Sequence, residues 1–156
     1  MGIGLFELVD NLSEEYQNIA RHDEHVAAAL MSLGEYRHAA YFLIQAIEKY
    51  LRSKIFSIVD GRQAYYREQN RNHSVEEAAD FLVQVMSTDT RVQEHIRSQL
   101  NQYVLSGVQF HHLHNNIRYP RYVERQNHFV SLKVSKEDVE SIRARLLWVK
   151  NFINAI

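Results

Sequence analysis

Apolar residues recur at three- and four-residue intervals through most of the chain, with one proline and five glycines to interrupt them, so helix is the dominant expectation. The first stripe, Leu5, Leu8, Val9, Leu12, Tyr16 and Ile19, predicts an opening helix. A second apolar stretch from Val26 to Leu33 predicts a short helix that stops at Gly34, a natural C-cap. From Glu35 the longest pattern places Ala39, Leu43, Ala46, Ile47, Tyr50, Leu51 and Ile58 on one face of a central helix, with Arg37, Gln45, Glu48 and Arg52 largely off it. This helix should end near Asp60-Gly61, and the polar run from there to His73 predicts a loop. Ser74 followed by Glu77 is a capping-box signature ahead of a helix through Phe81, Leu82 and Val85. Another helix begins around Thr88 to Asp89, carries Val92, Ile96, Leu100, Tyr103 and Val104, continues past Gly107 and breaks before Pro120. Arg118 to Val134 lose the helical period and Phe129, Leu132 and Val134 read as extended, which predicts a long connection with room for a short hairpin. Ser135 with Asp138 caps a last helix striped by Val139, Ile142, Leu146, Val149, Ile153 and Ile156. The sum is an all-α fold, an antiparallel up-and-down bundle of about five helices.

A chain of 156 residues, nearly half of them apolar, closes one hydrophobic core, so residues 1–156 read as a single domain. The absence of cysteine excludes disulfides and thiolate metal sites and fits a reducing compartment. Met1 to Asp10 carries Glu7 and Asp10 without a basic start or a long apolar run, so neither a signal peptide nor a membrane anchor is expected. A cytoplasmic location without a membrane partner follows as the expectation, and the triplets Asn11-Leu12-Ser13 and Asn72-His73-Ser74 are chance glycosylation matches. Eighteen basic and nineteen acidic residues leave no bulk attraction to polyanions, so any such site must be local. Nine histidines make the charge depend on pH near neutrality.

The richest local constellation is His111-His112-Leu113-His114-Asn115-Asn116-Ile117-Arg118-Tyr119-Pro120-Arg121-Tyr122, with Arg125 and His128 soon after. Arginine binds phosphate bidentately, tyrosine stacks on a base and histidine exchanges protons near pH 7, so His111, His114, Asn115, Arg118 and Tyr119 are candidates for nucleotide or RNA binding. The competing reading is that Tyr119 and Pro120 end a helix whose histidines face solvent. His111 and His114 share a helix face as zinc ligands can, but no HExxH motif and no carboxylate within the cluster completes a pattern, so no metal is expected. A phosphate-cradling glycine loop, a GxSxG elbow and a cysteine nucleophile are also missing, and no cofactor is implied. A second mixture of cations and aromatics, Arg62, Arg67, Arg71 and His73 beside Tyr65 and Tyr66, is diluted by Asp60 and Glu68.

The stretch Gly34-Glu35-Tyr36-Arg37-His38-Ala39-Ala40-Tyr41-Phe42-Leu43-Ile44-Gln45-Ala46-Ile47-Glu48-Lys49-Tyr50-Leu51 resembles the signature helix of the HEPN domain, and Arg118-Tyr119-Pro120 is similar to the Arg-Tyr-Pro element many of these domains carry before the last helix. The resemblance implies a helical bundle, usually a homodimer, whose shared cleft holds the functional residues. Many family members are metal-independent ribonucleases, often toxins paired with a minimal nucleotidyltransferase or acting in phage defence; others lack catalytic residues and bind nucleotides or proteins. Catalytic members carry Arg-x(4–6)-His, matched here by Arg121-x6-His128 and by Arg67-x5-His73, although Tyr122 stands where catalytic members prefer a polar residue. Three readings stay open: an RNA- or nucleotide-binding protein, an active ribonuclease using Arg121 with His128 or Arg118 with His111, His112 or His114, and a protein-interaction bundle.

Overall fold

The computed structural model describes residues 2–156. It is a helical bundle whose order is α1 (Leu12–Ser32), α2 (Tyr36–Ile58), α3 (Ala64–Gln69), α4 (Val75–Met86), α5 (Thr90–Leu100), α6 (Phe110–Arg118) and α7 (Lys136–Ala155), with a hairpin of β1 (Arg121–Val123) and β2 (His128–Val130) between α6 and α7. Five of these helices have eleven or more residues, which is the all-α bundle that the periodicity predicts.

The two opening helices expected from the sequence are one. Asn11 caps the start of α1 by accepting the Glu14 N–H at 3.0 Å, so Leu5, Leu8 and Val9 lie outside it, in irregular structure and exposed. The polar stretch from Arg21 to His25 does not interrupt the helix, because its charges have partners across the bundle: Asp23 takes the Lys49 ammonium at 2.5 Å, and Glu24 takes both the Tyr50 hydroxyl and the Lys150 ammonium. Small Ala20 and Ala27 are fully buried and let α1 lie close to α2. The helix ends as expected at Gly34, whose φ of +74° supplies the left-handed residue that lets the Glu35 N–H reach the Leu30 carbonyl at 2.9 Å.

Helix α2 is the axis of the bundle and packs against α1, α4, α6 and α7. It is therefore buried well beyond the predicted stripe: Ala40, Ile44, Ile55 and Phe56 join the core, whereas Ile58 is exposed. Glu48 and Arg52, expected off the apolar face, are buried too, a correction taken up below. Gly61 follows α2 where a Cβ would stand 2.7 Å from the Leu12 side chain and 3.1 Å from the Phe56 ring, so only glycine lets the start of α1 close over the end of α2.

Three further segments differ from expectation. The run after Gly61 contains α3, held because Tyr66 stacks on Phe81 and Asn70 donates to the Tyr16 hydroxyl at 2.9 Å. The helix expected to run from Asp89 past Gly107 instead ends in a π-helical turn, Asn101–Leu105, and α6 restarts at Phe110. The hairpin is present, with Arg121 opposite Val130 and Val123 opposite His128, and turns through Asn127 in the left-handed region. Ser135 and Asp138 form the full capping box of α7, while Ser74 supplies half of one by accepting the Glu77 N–H at 3.0 Å. No helix among the described residues is long and apolar enough to cross a membrane.

Leu43, only 2% exposed at the centre of α2, tests this core directly. Leu43→Ala should cost about 2–5 kcal/mol in urea unfolding; a loss near zero would show that α2 does not face the core at this position.

Candidate functional site

The C-terminal half of α6 is set by anchors at both ends. At its start the Gln109 side chain provides no cap; Glu76, in the first turn of α4, accepts the His111 N–H at 3.1 Å instead. The second Glu76 oxygen is buried without a hydrogen-bond partner. At its end the α2 residue Arg37 donates to the Ile117 carbonyl at 2.5 Å and the Asn116 carbonyl at 3.4 Å. The same guanidinium reaches the Leu132 carbonyl at 3.1 Å and the Ser131 hydroxyl at 3.2 Å, beyond the hairpin. A cation at the carbonyl end of a helix is favourably placed, and this one also ties down the strand exit. Phe110 and Ile117 bury the inner face, which leaves the other face to border a cleft.

That cleft, about 390 Å³, is lined by Ile44, Gln45 and Glu48 of α2, His73, Ser74 and Val75 before and at the start of α4, and Phe110, His111, His114, Asn115 and Arg118 of α6. Four of the five binding residues singled out from the sequence therefore share one cavity. Tyr119, the fifth, lines a neighbouring groove with Tyr41, Phe42 and Ile117, and Arg118 stands between the two. Arg121 and His128 are exposed on the hairpin and do not line the cleft; His128 Nδ1 bonds the Gln126 carbonyl at 2.6 Å. The Arg67 guanidinium donates to the Arg62 carbonyl at 2.6 Å, while Arg62 pairs with Asp60 and Arg71 with Glu68, so the cationic run from Arg62 to Arg71 is largely engaged within itself.

Beneath the cleft lies a buried ion pair. Arg52, with its side chain 1% exposed, donates to Glu48 Oε1 through Nε at 3.3 Å, and its Nη2 is 3.2 Å from the same oxygen. Nη1 donates to Asn70 Oδ1 at 2.6 Å and Nη2 to the Asn72 carbonyl. Glu48 in turn faces His73, whose Nδ1 is 3.5 Å from Oε1. Two charges taken from water need this degree of satisfaction to be tolerated. The i,i+4 spacing was visible in the sequence; their burial was not, because it depends on the segment from Asn70 to Ser74 folding over α2.

His114 sits at the other side of the cleft, packed against the Tyr41 ring at 5.1 Å, with the Gln45 amide 3.3 Å from Nδ1. With the amide nitrogen as donor, Nδ1 is the acceptor and the proton of the neutral ring is on Nε2. Burial, with the Arg118 charge adding to it and Glu48 opposing it, lowers the His114 pKa below the ordinary histidine value. Arg118 itself is exposed; it bonds Asn115 Oδ1 at 2.9 Å and the His114 carbonyl at 3.4 Å, and lies over the Tyr119 ring. It has no carboxylate partner among the described residues, so its charge is available to an anion.

A larger concavity, about 550 Å³, lies among α1, α2 and α7 around Glu24, Tyr50 and Lys150. Glu24, Tyr50 and Lys150 satisfy one another there, and burial followed by the Glu24 hydrogen bond raises the Tyr50 pKa, so these three read as a structural network. Among the described residues no three histidine, aspartate or glutamate side chains gather as a metal ion would need. Comparisons with protein-family models, curated proteins and solved structures found no match.

Removing one member of the buried pair leaves the other charge uncompensated, so Arg52→Met should destabilise the fold by about 3–5 kcal/mol in chemical denaturation. Adding Glu48→Gln to that variant should recover part of the loss; additive losses would mean the two side chains do not interact.

Proposed function

We propose that this chain binds RNA or a nucleotide, with the phosphate held by Arg118 at the mouth of the cleft between α2 and α6. The observation that carries the reading is convergence: Gln45 and Glu48 of α2, His73 before α4, and His111, His114, Asn115 and Arg118 of α6 all line one cavity. Arg118 offers donors without a carboxylate to neutralise them, Asn115 offers an amide, and Tyr41 and Tyr119 are aromatic surfaces beside the phosphate position.

The same convergence supports a HEPN-like assignment, because it joins the two stretches that resemble that family. Arg37, from the first, bonds the carbonyls of Asn116 and Ile117, immediately before Arg118-Tyr119-Pro120. A role in a toxin–antitoxin or phage-defence system, beside a minimal nucleotidyltransferase, rests on that family resemblance alone.

A second reading, a metal-independent ribonuclease, is favoured by one feature: His114 is held neutral beside a free arginine, the state a general base needs. In this reading Arg118 steadies the phosphate while the imidazole takes the proton from a ribose 2′-hydroxyl. The Arg121 and His128 pair would have to act from the exposed hairpin instead.

Arg118→Ala should weaken binding of a short single-stranded RNA or a nucleotide by about ten- to a hundredfold in fluorescence anisotropy, while its melting temperature stays near wild type. Equal affinity would remove Arg118 from the site. A bound phosphate favours protonated His114, so the pKa is higher in the complex than in the free protein. Affinity should therefore rise as pH falls through and below the ordinary histidine value and level off below the depressed free-state value, and His114→Gln should flatten the profile. Incubating RNA with the protein in EDTA separates binding from catalysis: cleavage lost in His114→Gln supports the ribonuclease reading, cleavage lost only in Arg121→Ala/His128→Ala moves it to the hairpin, and no cleavage leaves binding.

A further inference from the structure

Two hydrogen-bond acceptors on α2 border the cleft without a partner in the chain. Glu48 presents Oε1 to Arg52 and His73, and its Oε2 accepts no hydrogen bond. The Glu48 side chain is only 7% exposed, yet the one enclosed side-chain oxygen without a partner among the described residues is Glu76 Oε2. Glu48 Oε2 therefore opens into the cleft that its side chain lines. Three residues earlier, the Gln45 amide gives its nitrogen to His114 Nδ1, which leaves Gln45 Oε1 as a second free acceptor at the same wall. A carboxylate buried to this degree, with one oxygen unused, is placed for a donor that arrives with a ligand. We propose that these two acceptors read guanine, whose base-pairing edge carries two adjacent N–H donors, the ring N1–H and the exocyclic amine. The proposal rests on the reading of Arg118 as the phosphate ligand and adds the base to it.

Among the four RNA bases guanine alone presents two donors side by side. Adenine and cytosine alternate a donor with an acceptor, and uracil flanks one donor with two acceptors. A ring nitrogen or carbonyl set against a carboxylate, which can only accept, is left unpaired and repelled. The walls suit a flat ring, because the buried side chains of Ile44, Val75 and Phe110 line the cleft and offer apolar surface to the faces of the base. The spacing fits as well. Helices α2 and α6 run antiparallel here, since Arg37 meets Ile117 and Gln45 meets His114. Arg118 lies one turn beyond His114 on α6, and Glu48 lies beyond Gln45 in the opposite direction, so the two stand roughly 10 Å apart along the helix axes. A mononucleotide bridges such a span with its phosphate at one end and its base edge at the other. Arg52 offsets the Glu48 charge from below, so the carboxylate does not drive that phosphate away. Tyr41 and Tyr119, in the neighbouring groove, stay free for a base on the other side of the phosphate.

Titration calorimetry at pH 8, where His114 is neutral and its Nδ1 takes the Gln45 amide nitrogen, tests this. Glu48→Gln would strand Arg52 in the core, so the base is varied before the carboxylate. Guanosine monophosphate should bind about a hundredfold more tightly than adenosine monophosphate, and inosine monophosphate, which keeps the ring N–H and lacks the amine, should fall about tenfold short of guanosine. Gln45→Met, which leaves the buried ion pair intact, should lower the guanosine-to-adenosine ratio by about tenfold. Single-stranded hexamers of adenosine with and without one guanosine identify the source. A preference repeated in the hexamers supports guanine within RNA, and a preference confined to the monophosphates supports a free guanine nucleotide. Equal affinity for the three monophosphates, or tightest binding of adenosine monophosphate, would overturn the guanine assignment and leave the phosphate reading standing. No binding of any nucleotide, hexamer or inorganic phosphate would overturn both.

Discussion

The ion pair between Glu48 and Arg52 is the constraint on which the candidate site depends. An arginine almost without solvent contact must find acceptors inside the protein, and each guanidinium nitrogen of Arg52 has one: Nε on the Glu48 carboxylate of its own helix, Nη1 on the Asn70 side chain and Nη2 on the Asn72 carbonyl of the segment crossing above it. Those contacts decide where the chain after α3 runs. Ser74 can then cap α4, and His73 stands over Glu48 at the wall of the cleft. A hydrophobic pair of the same volume could fill the space under this segment but would give no direction to its carbonyls. The ion pair supplies that direction, and the site inherits it.

A second charged residue of α2 performs the matching task at the other wall. Arg37 collects carbonyls from the end of α6 and from beyond the hairpin, so residues some eighty positions apart are registered by one guanidinium. Glu76 holds the opposite end of α6. The nine-residue α6 is too short to be stable alone, and two buried side chains with polar anchors at both ends fix it against α2. Its histidines are thereby sorted by environment: His114 is driven toward the neutral form by burial beside Arg118, while the exposed rings of His111 and His112 lie against each other with centroids 3.9 Å apart, tilted by 36°.

What the sequence discloses follows from how local each signal is. Caps that depend on three or four residues, at Gly34, Ser74 and Ser135, are legible and are where they should be. The apolar stripe of α7 was equally plain. The start of α1 was missed because Leu5, Leu8 and Val9 keep a helical spacing that Asn11 overrides, and the continuity of α1 was missed because Asp23 and Glu24 find partners on α2 and α7 that lie far away in sequence. The same limit governs the site. His111, His114, Asn115 and Arg118 could be singled out because they crowd one short stretch, whereas Gln45, Glu48 and His73 enter only when α2 and the segment before α4 are folded against it.

This division also bears on chemistry. A cluster of histidines and arginines read from sequence alone suggests that all of them act; the fold assigns them different work. Arg37 and Arg52 are engaged by carbonyls, a hydroxyl, an amide and a carboxylate and serve as structure, and Arg62 and Arg71 are neutralised by acids two or three residues away. Arg118, the one arginine among the described residues lining the cleft, has no carboxylate partner, and it is held beside an imidazole whose pKa burial lowers. One unpaired guanidinium next to one neutral imidazole is a small amount of machinery, but phosphate recognition needs little more than a fixed donor pair in a place where competing carboxylates have been occupied. Here Glu48 has been occupied from below by Arg52, which is why the buried pair and the exposed arginine belong to a single design.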